Sequence, residues 1–201
     1  MQLLTVDPCW LARPSIEVAP DSIGCTLVRQ FSNGQIIKGL IVETEAYGPN
    51  DPACHAYRRQ TPRNQVMFGP AGVSYIYLIY GRYHCLNLVT DREGIASAIL
   101  IRALQLKYEP DAIAQHQGLK LDRIAAGPGK LCQALQINLS LNGQLLQPGQ
   151  ALWLEHRQPK FQKDLDQQIL NLVQTTRIGL SQGANLPWRW YLRNCPDVSK
   201  F

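Results

Sequence analysis

Two runs with the alternation of half-buried strands, residues 73–79 and 83–90, stand three residues apart, and those three are Tyr80-Gly81-Arg82. A central glycine in so short a connection predicts a hairpin with Tyr80 and Arg82 near its tip. Further strands are expected over 39–47, 97–103, 151–155 and 188–193, with a turn at Asn33-Gly34. Helices are expected over 110–117 and 128–137, each with proline in its first turn. The chain begins with a short Pro-containing arm, and residues 21–30 read as a brief helix or turn leading into a strand. Residues 48–70 read as loop, and 164–175 stay open between helix and loop. Strands joined by hairpins, with helices scattered between, predict an α+β fold. The expectation is a single domain over 1–201: a curved, mainly antiparallel sheet, surrounding short helices and a protruding hairpin. A G-x-G-x-x-G or P-loop motif is absent, which argues against nucleotide-binding α/β folds.

The 201 residues suit one domain with its own core, and 45% apolar against 17% charged residues excludes a disordered chain. A net charge of +5 permits a polyanionic partner without proving one. Its distribution says more. Between Cys54 and Arg92, five arginines (58, 59, 63, 82 and 92) face one acid, Asp91, and five tyrosines (57, 75, 77, 80 and 83) fall among them. Such a surface can hold phosphates and stack on bases. It can equally be a tyrosine-rich sheet with a solvated rim. The six cysteines form no C-x-x-C pair and no histidine has metal-ligand spacing, so reduced thiols, several of them buried, and no metal are expected. The N-terminus lacks the pattern of a signal peptide, and no apolar run approaches the roughly 20 residues that span a bilayer. A cytoplasmic protein without membrane association is expected.

Read as a strand, GLIVETEAY (39–47) puts Leu40, Val42, Thr44 and Ala46 on one face and Ile41, Glu43, Glu45 and Tyr47 on the other. Two carboxylates and a phenol on an otherwise apolar strand ask for a reason. A carboxylate beside a pocket can activate water and stabilise a cationic, sugar-like transition state. A strand glutamate paired with arginine is the plainer alternative, and the pattern alone does not choose between Glu43 and Glu45. Tyr47, His55 and Tyr77 could form an aromatic slot. Tyr80, at a hairpin tip, could wedge between base pairs or fold back over the sheet. Gly127-Pro128-Gly129-Lys130 opens a helix and offers a plausible phosphate seat.

Taken in order, VETEAY (42–47), DPACHA (51–56), QTPRN (60–64), MFGP (67–70), YIYLIYGRYHCLN (75–87), LIRAL (100–104), AGPGKLCQAL (126–135), RIGL and WRWYLR resemble the alkyladenine (3-methyladenine) DNA glycosylase family. The resemblance runs over roughly residues 20 to 199. It implies a monofunctional hydrolase without cofactor that flips alkylated purines out of duplex DNA and leaves an abasic site. Glu45 matches the general base and Arg102 the arginine that positions the catalytic water. Tyr47, His55 and Tyr77 match the residues that enclose the base, and Asn87 the one that excludes guanine. Tyr80 matches the intercalating wedge. Arg63 and Asn64 lie in the motif that shapes the pocket loop. Arg82, standing where the family often carries an apolar or aromatic residue, is expected to add a DNA contact along with Arg63 and Lys130. The implied partner is double-stranded DNA containing alkylated or deaminated purines, bound by a monomer, associated with the nucleoid if the source is bacterial. The loop from Tyr47 to His55 is one residue shorter than the family's usual pattern.

Two rivals share these residues. A catalytically silent DNA-binding module could keep Tyr80 and the arginines without needing Glu45. A carbohydrate-directed glycosidase could use Glu43 and Glu45 as its carboxylate pair, since residues two apart on a strand are roughly 7 Å apart.

Overall fold

The computed structural model describes residues 4–107 and 123–200, so the helix expected over 110–117 lies outside the described residues. Among them, eight strands form one curled sheet: β1 (Thr26–Gln30), β2 (Ile36–Tyr47), β3 (Ser74–Ile79), β4 (Tyr83–Val89), β5 (Ala98–Lys107), β6 (Leu152–Glu155), β7 (Leu172–Thr175) and β8 (Arg189–Leu192). All of their ladders are antiparallel, in the order β3-β4-β5-β2-β1-β6, with β8 pairing both β2 and β7. The expected α+β class and antiparallel sheet are both present.

β2 is the strand on which the rest is built. β5 follows one of its edges from residue 38 to 47, while the other edge pairs with β1 over 36–40 and with β8 over 43–45. The β2–β5 register slips twice. Ile41 faces Leu104 but Glu43 faces Ala103, which leaves Val42 as an extra residue on β2. Thr44 then faces Ile101, which leaves Arg102 as an extra residue on β5. Bulges of this kind re-aim side chains and locally sharpen the twist. Here they fall at Arg102 and beside Glu43, in the middle of the charged face noted in the sequence.

Among the described residues four α-helices flank the sheet: α1 (Pro8–Leu11), α2 (Ser15–Ser22), α3 (Pro128–Ala134) and α4 (Pro159–Asp166). Three begin with proline, whose missing N–H costs nothing where no intrahelical acceptor exists. The region read as a Pro-containing arm therefore folds into α1 and α2. The cause is tertiary: Val18, Ala19 and Ser22 are buried, and the Thr44 hydroxyl donates to the Ala19 carbonyl at 2.8 Å, docking α2 on β2. α3 ends earlier than position 137 because Gln136 adopts a left-handed backbone (φ 49°) that a helix cannot continue through. The open segment 164–175 resolves into the end of α4 and then β7.

The main core joins Ile41, Val42 and Ala46 of β2 to Leu86 and Leu88 of β4, Ile99 and Ile101 of β5, and Leu131 and Cys132 of α3. A smaller cluster of Cys54, Ala56, Met67, Val73 and Tyr75 anchors the irregular 48–70 segment, which contains one 3-10 turn, Gln65–Phe68. All six cysteines are free thiols, five of them buried. No helix among the described residues is long and apolar enough to cross a membrane.

Candidate active site

The β3–β4 hairpin turns through Tyr80 (φ 52°) and Gly81 (φ 69°), with the Arg82 N–H donating to the Ile79 carbonyl. Positive φ at both central positions is what a twisted two-strand turn requires. Glycine adopts it freely and tyrosine at some strain. The cost leaves Tyr80 82% exposed at the tip. Below the hairpin, α3 comes so close to β4 that a Cβ at Gly129 would stand 3.1 Å from the Tyr83 ring.

Between these elements opens a cavity of about 780 Å³, well within the size range of small-molecule sites. Tyr47, His55, Tyr77, Tyr80, Asn87, Arg102 and Lys130 all line it, as do Tyr83, Arg123 and Ile178. The His55 and Tyr77 rings meet edge to face at 4.5 Å. His55 Nδ1 lies 3.0 Å from the Tyr75 hydroxyl, and Tyr75, not singled out in the sequence for this role, thereby orients the imidazole. His55 is exposed to the cavity, yet the surrounding protein and then Arg63 hold its pKa below 6.5, so it is neutral at pH 7. Burial pushes the Tyr75 phenol up to about 12 and that of Tyr77 higher still. The Asn87 amide donates to the Tyr75 carbonyl at 3.1 Å, which fixes its direction in the wall.

Glu45 stands directly behind this wall and is 0% exposed. Its Oε1 accepts from the Ile178 N–H at 2.9 Å. Its Oε2 accepts from the Tyr47 hydroxyl at 2.8 Å and lies 3.2 Å from Arg102 Nη1. Burial, and then the charge of Glu45, raises the Tyr47 pKa, so the phenol stays protonated and acts as the donor. A carboxylate offers about four acceptor positions; hydrogen bonds from Tyr47 and Ile178 fill two, and Arg102 approaches as an ion pair. Tyr47, Arg102 and Ile178, which hold the carboxylate, all reach the cavity.

Glu43 has a different fate. Its Oε1 lies 3.1 Å from Arg102 Nε and 3.1 Å from Arg189 Nε, the second an ion pair without hydrogen-bond alignment. Its Oε2 accepts the Ser199 N–H at 2.8 Å. Burial works against the charge of Arg102, but Glu45 and Glu43 together outweigh it and raise its pKa. Arg102, thrown out of register by its bulge, thus bridges both carboxylates, a distinction that strand alternation could not supply.

The remaining expected contacts lie around the rim. Arg82 is exposed and folds back over Tyr83, its guanidinium carbon 4.6 Å from the ring centroid. Arg63 donates to the Leu78 carbonyl at 3.3 Å and sits 5.5 Å from the Tyr77 ring. Lys130 is exposed beside Gln133 at the cavity edge. Asn64 donates to the carbonyls of His55 (2.8 Å) and Arg59 (3.0 Å), which ties the His55 loop together. Asp51 and Arg177, a buried pair beneath Tyr47, were not among the residues expected from the sequence, although they stand in DPACHA and RIGL. No cluster of metal-ligating side chains occurs among the described residues.

Comparison with known proteins gives the class first: the chain is a DNA glycosylase, a hydrolase acting on N-glycosyl bonds. Residues 9–196 match the family model described as methylpurine-DNA glycosylase, and the chain belongs to that family. It is 59% identical over 200 residues to a protein of Trichodesmium erythraeum (strain IMS101) named as a 3-methyladenine DNA glycosylase, covering 97% of each chain. Proteins of the same name from a Synechococcus strain (JA-3-3Ab) and from Carboxydothermus hydrogenoformans are 54% and 47% identical. The first comparison covers 96% of this chain and 97% of the relative, the second 94% and 95%.

Proposed function

We propose that this protein excises methylated purines, 3-methyladenine foremost, from duplex DNA by flipping the nucleotide and hydrolysing its glycosidic bond with water. The observation that carries the reading is the Glu45 carboxylate, held by Tyr47, Arg102 and Ile178 directly behind the wall of an aromatic cavity that opens beneath an exposed tyrosine. A cationic methylpurine gains from stacking on electron-rich rings and already carries the charge that makes it a good leaving group. Glu45 activates a water that takes a free acceptor position, and its charge stabilises the cation that develops on the sugar. Neutral His55 offers the base a hydrogen-bonding edge, and Asn87 crowds the position where guanine bears its 2-amino group. The expected product is an abasic site in an uncut strand.

The test is to incubate the protein with duplex DNA treated with a methylating agent and identify the released bases by mass spectrometry. Release of 3-methyladenine ahead of unmodified purines is expected, and release of none overturns the reading. Borohydride added during turnover should trap no protein–DNA adduct. An adduct would assign the nucleophile to an amine, with Lys130 the first candidate. The glycosidase rival is not supported, because both oxygens of Glu43 are engaged by arginines and a main-chain N–H, leaving it no face for a sugar.

Tyr80 supplies a second expected outcome. A ring held 82% exposed on a strained turn is set to fill the gap left by an extruded nucleotide. Stacking of one ring is worth about 1–3 kcal/mol, so Tyr80→Ala should weaken flipping by roughly 10- to 100-fold with no loss of stability. Fluorescence of 2-aminopurine placed beside a lesion reports this directly. A wild-type signal in the variant would remove Tyr80 from the flipping step.

A further inference from the structure

Asp51 and Arg177 form an ion pair in which both side chains are 0% exposed. The contact is fork to fork: Nη1 meets Oδ2, and Nη2 donates to Oδ1 at 2.8 Å. A buried pair of this kind seldom adds stability over apolar packing of the same volume, so what it holds matters more than its own energy. Nη1 also donates to the carbonyl of Ala46 at 2.8 Å, the residue between Glu45 and Tyr47. The guanidinium carbon sits 4.7 Å from the Tyr47 ring centroid and 5.3 Å from that of Trp188. Nη2 reaches the Gly183 carbonyl at 3.1 Å. Asp51 Oδ1 accepts the Ala53 N–H at 3.0 Å, at the start of the turn that carries His55. The next residue after Arg177 is Ile178, whose N–H holds Glu45 Oε1.

One ion pair therefore ties together the end of β2, the loop bearing His55 and the segment that bonds the carboxylate. The geometry points to Asp51 and Arg177 as positioning residues that aim the Glu45 carboxylate and set the Tyr47 ring, and so govern the bond-breaking step and not DNA affinity. The inference rests on the reading of Glu45 as the base. Displacement of a reacting group by about 1 Å can cost roughly 100-fold in rate, so loss of the fork should be felt in chemistry first. Lysine at 177 would keep the charge but could not reach Asp51, Ala46 and Gly183 together.

The experiment is single-turnover base release from methylated duplex DNA at saturating protein, beside affinity for the same duplex carrying a tetrahydrofuran abasic analogue. Asp51→Asn and Arg177→Lys should each lower the maximal rate about 10- to 100-fold while affinity stays within about threefold. The double variant should lose no more than the worse single one, as residues acting as one unit do. If Asp51→Asn does not fold, Gly183→Ala carries the test. Its Cβ would stand 3.0 Å from both Arg177 Nη2 and Asp51 Oδ1, pushing the pair while every charge remains. A maximal rate within about twofold of wild type in the folded variants, or an affinity loss that matches the rate loss, overturns the inference. Glu45→Gln is run alongside. An active Glu45→Gln protein sinks the reading of Glu45 itself, whereas an inert one beside a normal Asp51→Asn protein sinks only the role of the pair.

Discussion

Glu45→Gln is expected to reduce base release by at least about 1,000-fold while duplex affinity changes little, because the exchange removes both the proton acceptor and the negative charge facing the sugar. The substitution keeps the side chain's volume, so the comparison isolates chemistry from packing. It does not leave the hydrogen bonds whole. The native carboxylate accepts from the Ile178 N–H on one oxygen and faces the Tyr47 hydroxyl and Arg102 on the other. An amide turned either way sets its N–H₂ against one of those donors. Tyr47 can rotate its hydroxyl to accept, but Arg102 and Ile178 cannot. A cost of about 1–3 kcal/mol in stability is therefore expected as well. Rates are to be measured at saturating protein, so that any change in binding drops out, and thermal unfolding checks that the variant is folded. Retention of activity within about tenfold would remove Glu45 as the base, since general-base catalysis alone contributes about 100- to 10,000-fold.

The hairpin and the α+β class were legible in the sequence because each has a local signature, whereas the residues of the cavity wall, weak signals one by one, were picked out by the ordered resemblance to a known family. Period-two alternation, a glycine in a three-residue connection and a tyrosine at a turn are all readable within a few positions. Where the structure differs, the cause lies at long range. The N-terminal arm becomes α2 only because β2 receives it. The roles of Glu43 and Glu45 part only because Arg102 is displaced by a bulge, and alternation cannot register a bulge whose cause is the neighbouring strand. Arg177 is 126 residues from Asp51, and neither position carries a pattern that joins them. The site was thus visible as a set of wall residues, while the buried charges that hold it were not.

Glu43 is where that hidden layer bears most on stability. Glu43, Glu45, Arg102 and Arg189 form a buried cluster whose formal charges cancel, with Glu43 touching both arginines and the Ser199 N–H. Replacing Glu43 by alanine leaves two guanidinium groups out of water with one carboxylate between them, and Arg189 loses the carboxylate facing its Nε while keeping its hydrogen bond to the Lys200 carbonyl. Breaking a buried pair by deleting one partner costs about 3–5 kcal/mol. In a chain of this size each kcal/mol lowers the melting temperature by about 2–4 °C, so a drop on the order of 10 °C is expected. Glu43→Gln should cost less, because its amide oxygen still accepts one hydrogen bond. Both variants should retain measurable base release per folded molecule, reduced only as far as Arg102 loses its second anchor and turns from Glu45. Calorimetry and single-turnover rates on the same samples separate the alternatives. Were Glu43 a second chemical carboxylate, Glu43→Gln would be inert at unchanged stability. A melting temperature within about 2 °C of wild type for Glu43→Ala would mean that the arginines find water or other partners, and that Glu43 adds little to stability.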